Sequence, residues 1–149
     1  MSDSYDLHAS LGYQATLFAR IAERRFEKEL APLGLTRVTW CVLLAVGQEG
    51  HKNPTDIANF VGVDRTATSR ALRKLEADGL ITRTGGQGDK RTTKVSITEI
   101  GSNRLEFATV AASKNAEHFT KKLSWYERDT FATIIKKLME DEIRNVPGL

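Results

Sequence analysis

Cysteine, histidine and proline are scarce in this chain of 149 residues, and no apolar stretch is long. The single cysteine, Cys41, excludes an intramolecular disulfide and a cysteine zinc cluster, and its apolar neighbours make it a small core thiol with little thiolate character. Three histidines, His8, His51 and His118, sit on separate segments without metal-ligand spacing, so no metal and no cofactor is expected. The longest apolar run, Trp40 to Val46, is far too short to span a bilayer. With no basic-then-apolar leader at the N-terminus, a cytoplasmic protein without a membrane segment is expected. Acids, bases and nucleophiles are scattered rather than clustered, which speaks against an enzyme. The glycines at Gly85, Gly86 and Gly88 lack the lysine, hydroxyl residue and helix of a phosphate-binding loop.

What the chain does have is positive charge concentrated in one place. Between Asp64 and Lys94 stand eight basic residues (Arg65, Arg70, Arg73, Lys74, Arg83, Lys90, Arg91, Lys94) against four acidic ones (Asp64, Glu76, Asp78, Asp89), whereas the whole chain carries only +3. An excess confined to one segment is the footprint of a surface that neutralises phosphates.

The pattern along the chain fits that reading. Apolar residues at three- and four-residue steps (Leu7, Leu11, Phe18, Ala22, Phe26, Leu30) predict a first helix over Leu7 to Leu33, closed by Pro32 and Gly34. Thr36 caps a second, mostly buried helix through Val46. Asn53 and Pro54 open a short third helix that stops at Gly62, and Asp64 caps a fourth running to about Asp78. Its expected inward face is Ala67, Ala71, Leu72 and Leu75; its outward face is Arg65, Thr66, Thr68, Ser69, Arg70 and Arg73. Leu80 to Thr84 and a return segment around Val95 and Ile97 read as a strand pair. After the cap Thr98, apolar spacing from Leu105 to Leu123 predicts a long helix, and Ser124 with Glu127 marks the start of a last one, striped by Phe131, Ile134, Ile135 and Leu138.

Two short helices followed by a hairpin make a winged helix-turn-helix. Arginine can pair through two bonds with guanine in the major groove, and the glycine-rich hairpin tip would bring Lys90 and Arg91 to a phosphate backbone, with Asp89 holding Arg91. The candidate DNA contacts are therefore Thr66, Ser69 and Arg70 at bases, with Arg65 and Arg73 on phosphates. Asn53, Thr55, Thr68, Lys74, Asp89, Lys90 and Arg91 complete the set.

These residues resemble the MarR family of winged-helix transcription regulators. The resemblance rests on Leu33-Gly34-Leu35-Thr36 with Trp40, on Asp64-Arg65-Thr66-Ala67-Thr68-Ser69-Arg70, on Leu75-Glu76-Ala77-Asp78-Gly79-Leu80-Ile81, and on Asp89-Lys90-Arg91 followed by Val95-Ser96-Ile97-Thr98 and Gly101. It implies a mainly α fold with a small β-hairpin wing: one chain over 1–149, a DNA-binding region at 36–100, and helical dimerisation regions at 5–34 and 102–145. It also implies a homodimer on a near-palindromic operator of double-stranded DNA, acting as a repressor released by a small aromatic or phenolic ligand. In this family small molecules bind between the dimer helices and the wing domain, which makes His8, Leu11, Trp40 and Phe107 pocket candidates, although Trp40 in an apolar helix reads first as core. Peroxide-sensing relatives carry a cysteine where this chain has Gly12, so that chemistry is not expected. The competing readings are an architectural DNA-binding protein without a ligand, and a winged-helix module that binds protein.

Overall fold

The computed structural model describes residues 4–85 and 93–142. Helix α1 spans Leu11–Leu30, four residues shorter at its start than the apolar spacing predicts. The Ser10 side chain accepts the Tyr13 N–H and so fixes the cap there, leaving residues 7–9 as a turn. Beyond Leu30 the chain tightens into a 3-10 turn, Ala31–Leu33, because Pro32 has no N–H to continue the ladder, and Gly34 closes it with φ at 68°.

Helix α2 (Arg37–Gly47) starts in a reciprocal cap between Thr36 and Thr39. Helix α3 (Pro54–Val61) starts as expected, with the Asn53 side chain accepting the Thr55 N–H at 2.8 Å, and ends at Gly62. Asp64 accepts the Ala67 N–H at 2.7 Å and launches α4 (Arg65–Ala77). Strands β1 (Ile81–Thr84) and β2 (Lys94–Ile97) form the antiparallel pair, with Ile81 opposite Ile97 and Thr84 opposite Lys94. Helix α5 (Glu99–Thr120) stops short of Leu123, and α6 (Trp125–Leu138) opens on the anticipated Ser124–Glu127 box.

The core lies under α2, α3, α4 and the hairpin, where Val42, Leu43, Ile57, Leu72, Leu75, Leu80, Ile81 and Val95 are fully buried. Gly101 ties α5 onto it: a Cβ at that position would collide with the Leu80 carbonyl oxygen. The terminal helices contribute little. Helix α1 buries only Phe26 and Leu30, and α6 buries no residue at all. Phe18 of α1 does meet Phe119 of α5 and Phe131 of α6 edge to face, at 5.5 and 6.5 Å between centroids, so the three helices form one loosely covered layer.

Candidate nucleic-acid interface

Helix α4 presents its charge outward. Arg65, Thr66, Arg70, Arg73 and Lys74 are exposed, Ser69 is half-buried, and Thr55 stands exposed at the first turn of α3 beside the half-buried cap Asn53. Among the described residues Arg65, Arg70 and Arg73 have no carboxylate partner. The Arg73 guanidinium reaches back only to the Ser69 carbonyl, at 3.4 Å.

Thr68 corrects the expected outward face. It is 2% exposed, and its hydroxyl donates to the Asp64 carbonyl at 2.9 Å, the back-bond a threonine makes one turn up its own helix. Its place three, four and seven residues before Ala71, Leu72 and Leu75 puts it on the buried stripe, so it supports the helix from within and does not reach a base.

Of the eight basic residues between Asp64 and Lys94, six are described, and two of those are already paired. Lys74 holds Asp78 at 2.7 Å, and Arg83 grips Glu76 with two bonds of 3.1 and 2.8 Å. That fork pulls the Glu76 carboxyl below its ordinary range and ties the start of the wing to the end of α4. Charge counting alone therefore overstates the free cations of this face. The wing residues Asp89, Lys90 and Arg91, with Gly86 and Gly88, lie outside the described residues.

The four pocket candidates do not come together in the single chain. Trp40 stacks edge to face on Phe26 at 5.0 Å, whereas Leu11 is 15 residues earlier on the same helix, roughly 22 Å away at helical rise. His8 packs on Tyr13 near that far end, and Leu11 and Phe107 are 75% and 67% exposed.

The structure offers another cavity near Trp40. A hollow of about 280 Å³ is lined by Ala19, Ala22, Glu23 and Phe26 of α1, Arg37 of α2 and Asn115 of α5. Arg37 pairs with Glu23 at 2.9 Å across it. The Asn115 amide donates to the Ala22 carbonyl at 3.2 Å, while its oxygen and the Trp40 indole N–H are buried without a partner among the described residues. Glu23, Arg37 and Asn115 escaped the sequence reading because each faces a partner on another helix. A second, open cleft of about 550 Å³ runs between the first turn of α2 and α4, lined by Thr36, Val38, Thr39, Thr66, Ala67 and Arg70 among others.

Cys41 is half-buried, and burial raises its thiol pKa while Arg37 opposes that rise, as expected of an unreactive thiol. Among the described residues no three His, Cys, Asp or Glu side chains are grouped to hold a metal ion, and no single helix is long and apolar enough to cross a membrane.

Known proteins agree with this geometry. The MarR family model matches residues 33–92, the stretch that holds α2, the helix-turn-helix and the start of the wing. An uncharacterized HTH-type transcriptional regulator of Bacillus subtilis, YwoH, is 23% identical over 128 residues, covering 86% of this chain and 93% of its own length. Among solved structures, a cysteine-to-serine mutant of MarR from E. coli in complex with operator DNA superposes with a TM-score of 0.79 at 24% identity, covering 93% of this chain and 99% of its own. BpsR of Bordetella bronchiseptica, whose DNA binding is regulated by 6-hydroxynicotinic acid, superposes with a TM-score of 0.81 at 20% identity, covering 92% of this chain and 97% of its own. A match to the family over the reading region, a winged fold shared with such regulators along nearly the full chain, and an arginine-bearing helix facing solvent lead to one conclusion: the chain is similar to the MarR family of DNA-binding transcription regulators, with the family match lying over residues 33–92.

Proposed function

We propose that the chain acts as a cytoplasmic homodimer that represses by occupying a near-palindromic operator and lets go when a single-ring hydroxylated aromatic acid enters the α1/α2/α5 cavity. The role is binding, with no catalytic step. The observation that carries the reading is a segregation within one chain: three arginines with no carboxylate partner among the described residues face outward on α4, while α6 leaves Phe131, Ile134 and Leu138 about half exposed or more, beside Leu17, Phe18 and Ile21 of α1. An apolar layer of that extent asks for a second copy. A two-fold axis then sets two α4 helices about one DNA turn apart, roughly 34 Å, which calls for a near-palindrome. Thr66, Ser69 and Arg70 face the bases, Arg65 and Arg73 the phosphates, with Asn53, Thr55 and Lys74 at the margin and Asp89, Lys90 and Arg91 on the wing.

The effector class follows from the cavity. About 280 Å³ suits one ring and is too small for a large thioester. Arg37 offers a fork for a carboxylate, and the unpartnered Asn115 oxygen accepts from a hydroxyl. BpsR, with 6-hydroxynicotinic acid, answers to a molecule of that kind. The test is a gel-shift titration on the duplex upstream of the coding region against a random duplex at two salt concentrations, repeated with such acids, and sedimentation of the free protein. Tight, salt-sensitive binding to the upstream duplex alone, by a dimer and relieved by an acid, is expected. Equal binding to both duplexes would replace this reading with an architectural role, and binding to neither with a protein partner.

A further inference from the structure

We propose that the first turn of α2 couples the cavity to the reading helix, and that Arg37 does so by exchanging Glu23 for the carboxylate of the bound acid. The inference rests on the effector reading above and names its relay. Consecutive residues of this one turn belong to two different hollows. Arg37 lines the cavity against α1 and α5, whereas Thr36, Val38 and Thr39 line the cleft whose opposite wall is Thr66, Ala67 and Arg70 of α4. Whatever moves the turn on one side is felt by the base-reading residues on the other.

The turn is also where the terminal helices grip the reading region. Glu23 and Glu27 of α1 both hold Arg37, the first through its guanidinium at 2.9 Å and the second through its backbone N–H at 2.8 Å. Arg104 of α5 donates to the Leu33 carbonyl just before it, at 2.6 Å. Of these three ties, the Glu23–Arg37 pair alone has both charged groups on the cavity wall.

Electrostatics then dictates what an acid must do. The rest of the wall is Ala19, Ala22, Phe26 and the neutral Asn115, so an entering carboxylate finds one cation, already neutralised, and one carboxylate that repels it. It binds well only after Arg37 has left Glu23. The pair is half-exposed, at 30% and 45% of its side-chain surface, and such pairs are weak, so the exchange costs little. A ligand that prefers the opened clasp shifts the protein toward it, and Thr36, the cap that fixes α2, shifts with it.

The experiment measures operator affinity by fluorescence anisotropy for the wild type, Glu23→Gln, and the exchange variant Glu23→Arg/Arg37→Glu. Each is titrated with and without 3-hydroxybenzoate, 4-hydroxybenzoate and 6-hydroxynicotinate, with 4-hydroxybenzamide as the neutral control. Glu23→Gln is expected to bind the operator roughly two- to fivefold more weakly without ligand, the most that a half-exposed pair can supply. The exchange variant should regain that affinity yet lose its response to the acids, because its cation then stands on α1. A pair that merely braces the fold would restore both. Unchanged affinity in Glu23→Gln, or an exchange variant that still responds, overturns the relay alone, provided an acid releases the wild type. A wild type that none of the acids releases overturns the effector reading, and the relay falls with it.

Discussion

The reading lobe, from α2 to β2, and the terminal helices α1, α5 and α6 share one chain but solve the burial problem differently. The lobe buries Leu43, Leu72, Leu75 and Leu80 to 1% exposure or less, with Phe26 and Leu30 of α1 and Leu105 and Ala108 of α5 completing the same core, and so can offer its outer surface to charge. The terminal helices have apolar stripes that the described residues cover only in part: Phe26, Leu30, Leu105 and Ala108 are buried, while Ile134 and Leu138 stay about half exposed or more. A fold can thus be finished in one region and left for a partner to finish in another. The region that is finished carries the arginines; in the proposed dimer the unfinished one decides where two such sets of arginines stand.

The sharpest way to break this comparison is to charge the unfinished surface. Ile134→Asp/Leu138→Asp is expected to leave the monomer folded, since α6 buries nothing, but to abolish dimerisation. Operator affinity should fall by about 10²- to 10⁴-fold, the avidity lost when two half-sites are bound independently. Sedimentation and anisotropy on the same samples check it, and a dimer with full affinity would place the partner surface elsewhere. The matching change in the finished region is Leu72→Ala. It opens a cavity in a closed core and should cost about 2–5 kcal/mol of stability, read by denaturant melts.

The two regions also differed in how much their sequence disclosed. Asn53-Pro54, Asp64 and the Ser124–Glu127 box act over two or three residues, so the chemistry of the cap is written beside the helix it starts. The start of α1 was obscured because apolar spacing continues through Leu7 while the deciding Ser10 has a tyrosine, not an acid or amide, at the position that would complete a box. Thr68 misled through its polarity: a hydroxyl satisfied by the Asp64 carbonyl can be buried as cheaply as an alanine, and periodicity alone marks its side. The cavity was invisible for a different reason. Its residues meet across helices, Arg37 with Glu23 at a separation of 14 residues and Asn115 with Ala22 at 93, and no local pattern records such a pairing.

A finer test stays within the lobe and contrasts two neighbours on α4. Arg70→Ala should reduce discrimination between operator and random duplex by about 1–3 kcal/mol if the guanidinium pairs with a guanine. Thr68→Val, which keeps the shape but removes the back-bond, should leave that discrimination unchanged and register only as a small loss of stability. Competition binding measures both. Equal losses on both duplexes for Arg70→Ala would assign Arg70 to phosphates.

The smallest expected effect concerns the tie between α4 and the wing. The Arg83 fork lowers the Glu76 pKa below its ordinary 4.5, so folding stability from this pair is fully present above that value and is lost as pH falls through the lower, folded one. Because Glu76 is largely solvated, screening holds the contribution to about 0.5 kcal/mol. Glu76→Gln should therefore melt slightly below the wild type at pH 7, and the gap should close as the pH drops through the acid range below 4.5. In DNA binding the same change acts in the opposite sense. It frees Arg83 beside the reading helix and removes a negative charge, so affinity for random duplex should rise modestly and its salt dependence steepen. A variant that loses stability yet gains unspecific affinity would show that Glu76 restrains charge on the finished surface as well as bracing the wing; a fall in both would leave it only the bracing role.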